Sequence, residues 1–190
     1  MWQIAGLLAV FLAIQAWRAA DLPKGPAPPL RGALLAGGDF DLARAGKPIL
    51  VHFWATWCPI CKLEESSIAA LARDYPVVSV ALQSGAPEEL RAYLAERGLD
   101  FPVIDDDDGR LARAWGVHGV PASLIIDRTG RIRFREVGYT SGLGLRFRLW
   151  WAARRPSVGS VAQSSPMTRS SRGAVSRVSA SSALFANIIR

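Results

Sequence analysis

The only two cysteines of this 190-residue chain stand two residues apart, in Trp57-Cys58-Pro59-Ile60-Cys61-Lys62, between an apolar run and an amphipathic one. That placement dictates local structure on both sides. The run Ile49-Leu50-Val51-His52-Phe53-Trp54 predicts a strand that delivers Cys58 to the start of a helix, where unpaired backbone N–H groups and the helix dipole stabilise a thiolate. Pro59 suits the first helical position, because its fixed φ and missing N–H cost nothing there. Cys61 then falls within the first turn, close enough to close a disulfide with Cys58. The pattern is that of a redox dithiol with Cys58 as nucleophile.

The same residues argue against other uses of a cysteine pair. Half a zinc site needs two further ligands, and the only histidines are His52, on the incoming strand, and His118, far along the chain. Haem attachment requires a histidine directly after the second cysteine, where Lys62 stands. A purely structural disulfide closing so small a loop would constrain the unfolded chain little. Asp105 to Asp108 lack the alternating ligands and distant glutamate of an EF-hand, so they read as a solvated loop capping a helix over residues 111–115. No metal is expected, and no cofactor beyond the Cys58–Cys61 pair itself.

Periodicity places further elements. Ile60, Leu63, Ile68 and Leu71 recur at helical spacing after Cys58, with Glu64 and Glu65 near the start and Arg73 near the end. A strand fits residues 77–82, and Pro87 opens a helix that Gly98 closes. Residues 101–104 read as a short strand, and residues 122–127 and 132–136 as a hairpin. A last helix is expected over residues 141–154, although Leu145-Arg146-Phe147-Arg148-Leu149 also alternates as a strand would. Residues 31–47 give a short β element and a turn.

The formal net charge of +7 suggests an anionic partner until it is divided along the chain. Residues 33–142 carry 12 basic and 15 acidic side chains, whereas residues 155–190 carry five arginines, ten serines and no acid. The folded part thus has no electrostatic footprint for nucleic acid. The stretch from Arg155 has the composition of a disordered tail, which a functional basic tail and a reading-frame artefact fit equally.

Residues 2–17 contain no charge and read as a membrane segment, with Trp2 and Trp17 as interfacial anchors. Sixteen helical residues span about 24 Å against a hydrocarbon core of about 30 Å, so the segment is short. An uncleaved anchor is favoured over a signal peptide, because there is no basic n-region and no Ala-x-Ala in residues 9–27. The organisation expected is an anchor (1–20), a stiff Pro-rich linker (21–32), a domain of ordinary size (33–154) and the Ser/Arg-rich tail (155–190).

Ile49 to Lys62, the Gly116-Val117-His118-Gly119-Val120-Pro121 loop and Ser123 to Asp127 together resemble the thioredoxin superfamily, in particular its membrane-anchored, TlpA-like thiol:disulfide oxidoreductases. The Gly-Tyr-Thr and Leu-Arg-Phe-Arg-Leu-Trp-Trp stretches resemble the copper-sensitivity suppressor type within that group. The resemblance runs from about residue 30 to about residue 154. It implies a thioredoxin-like α/β fold, a central mixed sheet flanked by helices, here with an N-terminal membrane helix. It also implies a cis Val120–Pro121 bond that packs on the dithiol and leaves backbone free to pair with substrate, and a docking surface that includes Trp57. His52 stands where the family often carries a buried aspartate; it could accept the proton of Cys61 or simply satisfy a local hydrogen bond.

The implied activity is exchange with protein disulfides, in the reducing direction, because Ile60 cannot donate to a thiolate as the histidine of the strong oxidants does. Re-reduction would come from a membrane electron donor, with the protein in the bacterial inner membrane and its domain on the periplasmic or outer side. Cu(I) binding by the same cysteines is the alternative.

Overall fold

The computed structural model describes residues 22–154 together with Gly6. Its strands are β1 (Gly25–Pro26), β2 (Arg31–Ala33), β3 (Asp39–Asp41), β4 (Ile49–Trp54), β5 (Val77–Leu82), β6 (Val103–Asp106), β7 (Ala122–Ile126) and β8 (Arg131–Val137). Its helices are α1 (Pro59–Ala72), α2 (Pro87–Glu96), α3 (Arg110–Ala114) and α4 (Gly142–Arg154). A six-stranded sheet runs β1-β8-β7-β4-β5-β6, and β2 and β3 form a separate antiparallel ribbon. β4 pairs parallel with β5 and antiparallel with β7, so the sheet is mixed, as the resemblance implies.

Every residue of β4 is buried, which is why its sequence, apart from His52, is apolar rather than alternating. Alternate residues serve two cores. Leu50 and Trp54 pack with Ile68 and Leu71 of α1, Leu90 of α2 and Leu145 and Leu149 of α4. Val51 and Phe53 face the opposite side, among Val78, Val80, Leu124 and Trp115.

The structure revises four expectations. In α1 the buried stripe is Cys61, Glu64, Glu65, Ile68 and Leu71, whereas Ile60 and Leu63 are 44% and 68% exposed. The apolar periodicity missed this because two carboxylates occupy core positions. The strand expected at residues 101–104 begins at Val103 and includes Asp105 and Asp106, which pair with Ala81 and Leu82. Asp106 is buried rather than solvated, and its two carboxylate oxygens accept from the backbone N–H groups of Leu111 and Ala112 at 2.8 Å each, capping α3. The last helix forms as expected, with residues 145–149 helical within α4.

The fourth revision concerns the Pro-rich segment, which is part of the fold and not a spacer. Leu22 and Leu30 are buried, Gly25 and Pro26 pair with β8, and the Trp115 indole N–H donates to the Pro29 carbonyl. Prolines suit this edge because the outermost strand needs few donors. The expected membrane segment and the tail lie outside the described residues. Among the described residues no helix is long and apolar enough to cross a membrane.

Candidate functional site

Cys58 occupies the N-cap of α1 in extended conformation, and Pro59 follows at the start of the helix. Its Sγ accepts from the backbone N–H of Cys61 at 3.2 Å, so one orphan donor of the helix terminus is aimed at sulfur. Negative charge arising on Cys58 meets that N–H and the positive end of α1. Both cysteines are free thiols and both are buried, Cys61 more deeply. Burial pushes the Cys61 thiol far up, and the adjoining Cys58 and Glu64 push it further. Cys58 stands at the helix terminus and Cys61 within the first turn behind it, the placement that an attacking and a resolving thiol need.

The turn carrying Cys58 is pinned from the loop after β5. Ser84 Oγ accepts from the Thr56 N–H at 3.1 Å and donates to the Leu82 carbonyl at 3.0 Å. The exposed Trp57 donates its indole N–H to the Gln83 carbonyl at 2.9 Å, and Gln83 holds the left-handed conformation, φ 45°, that presents it. On the other side, Cys58 Sγ donates to the Val120 carbonyl at 3.6 Å, and Val120–Pro121 is cis. The loop thus packs on the dithiol. A second cis bond, Lys47–Pro48, precedes β4 and was not expected. His118 is exposed.

His52 lies on the β4 face shared with Leu50 and Trp54, bonded through Nδ1 to Ser123 Oγ at 2.9 Å. Burial lowers its pKa from 6.5 to about 4, so the imidazole is neutral and weakly basic at ordinary pH. Ser79 completes a polar row across the sheet with these two residues in register, and accepts the Trp54 indole N–H at 3.1 Å. Of the two roles open to His52, the local hydrogen bond is the one seen.

The group that sequence reasoning overlooked is Glu64. It lies three residues after Cys61 on the buried stripe of α1, where helical neighbours meet. One carboxylate oxygen accepts from the Thr140 N–H, while Oε2 is buried with no hydrogen-bond partner among the described residues. Gly142 permits the approach, since a Cβ there would stand 3.1 Å from Ser67 Cβ on α1. Burial raises the Glu64 pKa from 4.5 to about 7, partly offset by the Thr140 bond. Glu65 differs, since it accepts from the Tyr93 hydroxyl and pairs with Arg97 at 3.1 Å. The spacing of Glu64 from Cys61 was the available signal, obscured because glutamates are almost never fully buried unless paired.

Among the described residues no group of three or more His, Cys, Asp or Glu side chains could hold a metal ion. The site's chemistry is that of two thiols, one buried carboxyl and a backbone loop.

Residues 24–135 match the AhpC/TSA family. A thioredoxin-like protein of Haemophilus influenzae is 35% identical over 121 residues, covering 62% of this chain and 72% of that protein. The thiol:disulfide interchange protein DsbE of Escherichia coli K12 is 32% identical over 153 residues, covering 69% of this chain and 82% of DsbE. In structure, the chain resembles a thiol:disulfide interchange protein of the thioredoxin family from Chlorobium tepidum, with TM-score 0.59 and 28% identity, over 70% of this chain and 99% of that one.

Proposed function

The chain belongs to the AhpC/TSA family and is a thioredoxin-like thiol:disulfide oxidoreductase, and on that premise we propose that it reduces protein disulfides in the cell envelope through Cys58 and Cys61. The observation that carries this reading is Cys58 Sγ set between the Cys61 N–H and the Val120 carbonyl, with Cys61 buried directly behind it.

Cys58, as thiolate, attacks one sulfur of a substrate disulfide; a mixed disulfide forms and the other substrate sulfur leaves as thiolate. Cys61 gives its proton to Glu64 Oε2 and attacks Cys58 Sγ. The second substrate thiolate departs, and Cys58–Cys61 is left oxidised, two electrons having passed to the substrate. A membrane electron donor of dithiol type returns them. Glu64 suits the proton better than His52, because a carboxyl with a pKa of about 7 changes charge near neutrality whereas His52 is held by Ser123. The Val120 backbone meets the sulfur and the exposed Trp57 precedes the nucleophile, so an extended substrate segment pairing with the loop would gain main-chain hydrogen bonds with little sequence choice.

The reducing direction is supported by Pro59-Ile60, which offer no side-chain donor to the thiolate; a potential nearer about −270 mV than about −120 mV is expected. The envelope placement is supported by the charge-free residues 2–17 and by the oxidising compartment that disulfide substrates require. It corresponds to the inner membrane, with the domain on its outer side.

Insulin-disulfide reduction tests the reading. Cys58→Ser should abolish it, and Cys61→Ser should retain attack and accumulate mixed disulfides with envelope proteins. Faster alkylation of Cys61 than of Cys58 in the reduced protein would reverse the assignment. Tight Cu(I) binding without insulin reduction would replace it with the copper-binding reading.

A further inference from the structure

The helix α4 is apolar on two opposite faces. Leu145, Leu149 and Ala152 are buried against the sheet and α1. Leu143 and Phe147, 81% and 59% exposed, continue through the exposed Trp150 and Trp151 along the other side. At 100° per residue these stripes lie about 180° apart, so the inward face already satisfies the core and the outward one serves something else. Phe147 stacks on Trp150 with centroids 5.8 Å apart, and the Arg154 guanidinium sits 3.8 Å above the Trp150 ring, so the stripe is an ordered surface.

Charge selects the occupant. α4 carries Arg146, Arg148 and Arg154 and no acidic residue, and residues 143–190 together hold eight arginines and no acid. Arg146 and Arg148 are paired with Asp74 and Glu136, which leaves Arg154 at the end of the stripe and the five arginines that follow it in sequence for an anionic partner. A Trp/Phe/Leu stripe that ends in Arg154, with more arginines following in sequence, matches the boundary between acyl chains and anionic headgroups, where aromatic rings sit at headgroup depth and basic side chains pair with phosphate. We propose that the outward stripe of α4 docks on an anionic lipid surface, holding the domain against the bilayer. The placement follows from α4 and holds whether or not residues 2–17 span the membrane.

The test uses the full chain with phosphatidylcholine vesicles, with and without phosphatidylglycerol, carrying acyl-brominated lipid as a tryptophan quencher. Subtracting a Trp150→Phe/Trp151→Phe variant isolates the α4 signal from the other tryptophans. That signal should fall roughly two-fold in anionic vesicles and recover at high salt. A Leu143→Asp/Phe147→Asp variant keeps both reporters; it should lose the quenching while reducing insulin at the wild-type rate, which shows that it is folded. Equal quenching with and without phosphatidylglycerol, or quenching indifferent to the aspartates, overturns the proposal. So does concentration-dependent self-association abolished by the aspartates without any lipid signal, which would make the stripe an interface between copies.

Discussion

Two buried ionisable side chains, Glu64 and His52, have pKa values displaced in opposite senses, and their consequences with pH oppose each other. Glu64 is raised from 4.5 to about 7, so the folded protein binds its proton more tightly than the unfolded chain does. The stability this contributes is present below about pH 4.5 and is lost as pH rises through about 7. Urea unfolding at pH 5 and pH 8 should show wild type losing about 1–3 kcal/mol against Glu64→Gln over that interval, allowing for solvent screening. In catalysis the sign is reversed: resolution needs the carboxylate, so its rate should rise through about pH 7 in wild type. In Glu64→Gln it should be about 10²-fold slower and lack that inflection, with attack by Cys58 unchanged. His52 is lowered from 6.5 to about 4, so its neutral burial stabilises above about pH 6.5 and is lost as pH falls through about 4. Mixed-disulfide lifetimes in His52→Leu should match wild type from pH 5 to 8; a longer lifetime would restore a proton-transfer role to the imidazole.

At the scale of elements, legibility followed burial chemistry. β4, the Cys58 N-cap and Pro59 were readable because an apolar run and a C-x-x-C admit few local structures. The buried face of α1 was not, since Glu64 and Glu65 count as polar in any periodicity and are buried only because Thr140, Tyr93 and Arg97 reach them from distant parts of the chain. The extension of β6 into two aspartates was hidden for the same reason, α3 supplying the donors that Asp106 needs. Close approach leaves no periodic trace either. Gly32 of β2 lies so near β6 that a Cβ would stand 2.6 Å from Ile104 Cγ2. Gly32→Ala should therefore cost about 1–3 kcal/mol in thermal or urea unfolding, through overpacking rather than propensity.

Over the whole molecule, the domain boundary shifts toward the N-terminus. The Pro-rich composition of residues 22–32 describes an extended chain, and extension is what both a linker and an edge segment lying across a sheet require. What separates the two is where Leu22 and Leu30 go, and both are buried. A truncation beginning at Leu22 should keep the cooperative unfolding transition, whereas one beginning at Ala33 should lose at least the about 2–5 kcal/mol associated with one large core side chain. Circular dichroism melts of the two would decide it. One contact also ties reactivity to recognition. The Cys58 thiol spends its hydrogen on the Val120 carbonyl, and a thiolate has none to give. Ionisation therefore leaves that carbonyl without its donor just as the sulfur becomes a nucleophile, and the N–H of an incoming extended segment is the natural replacement. Readiness to react and readiness to be grasped are thereby timed by a single proton.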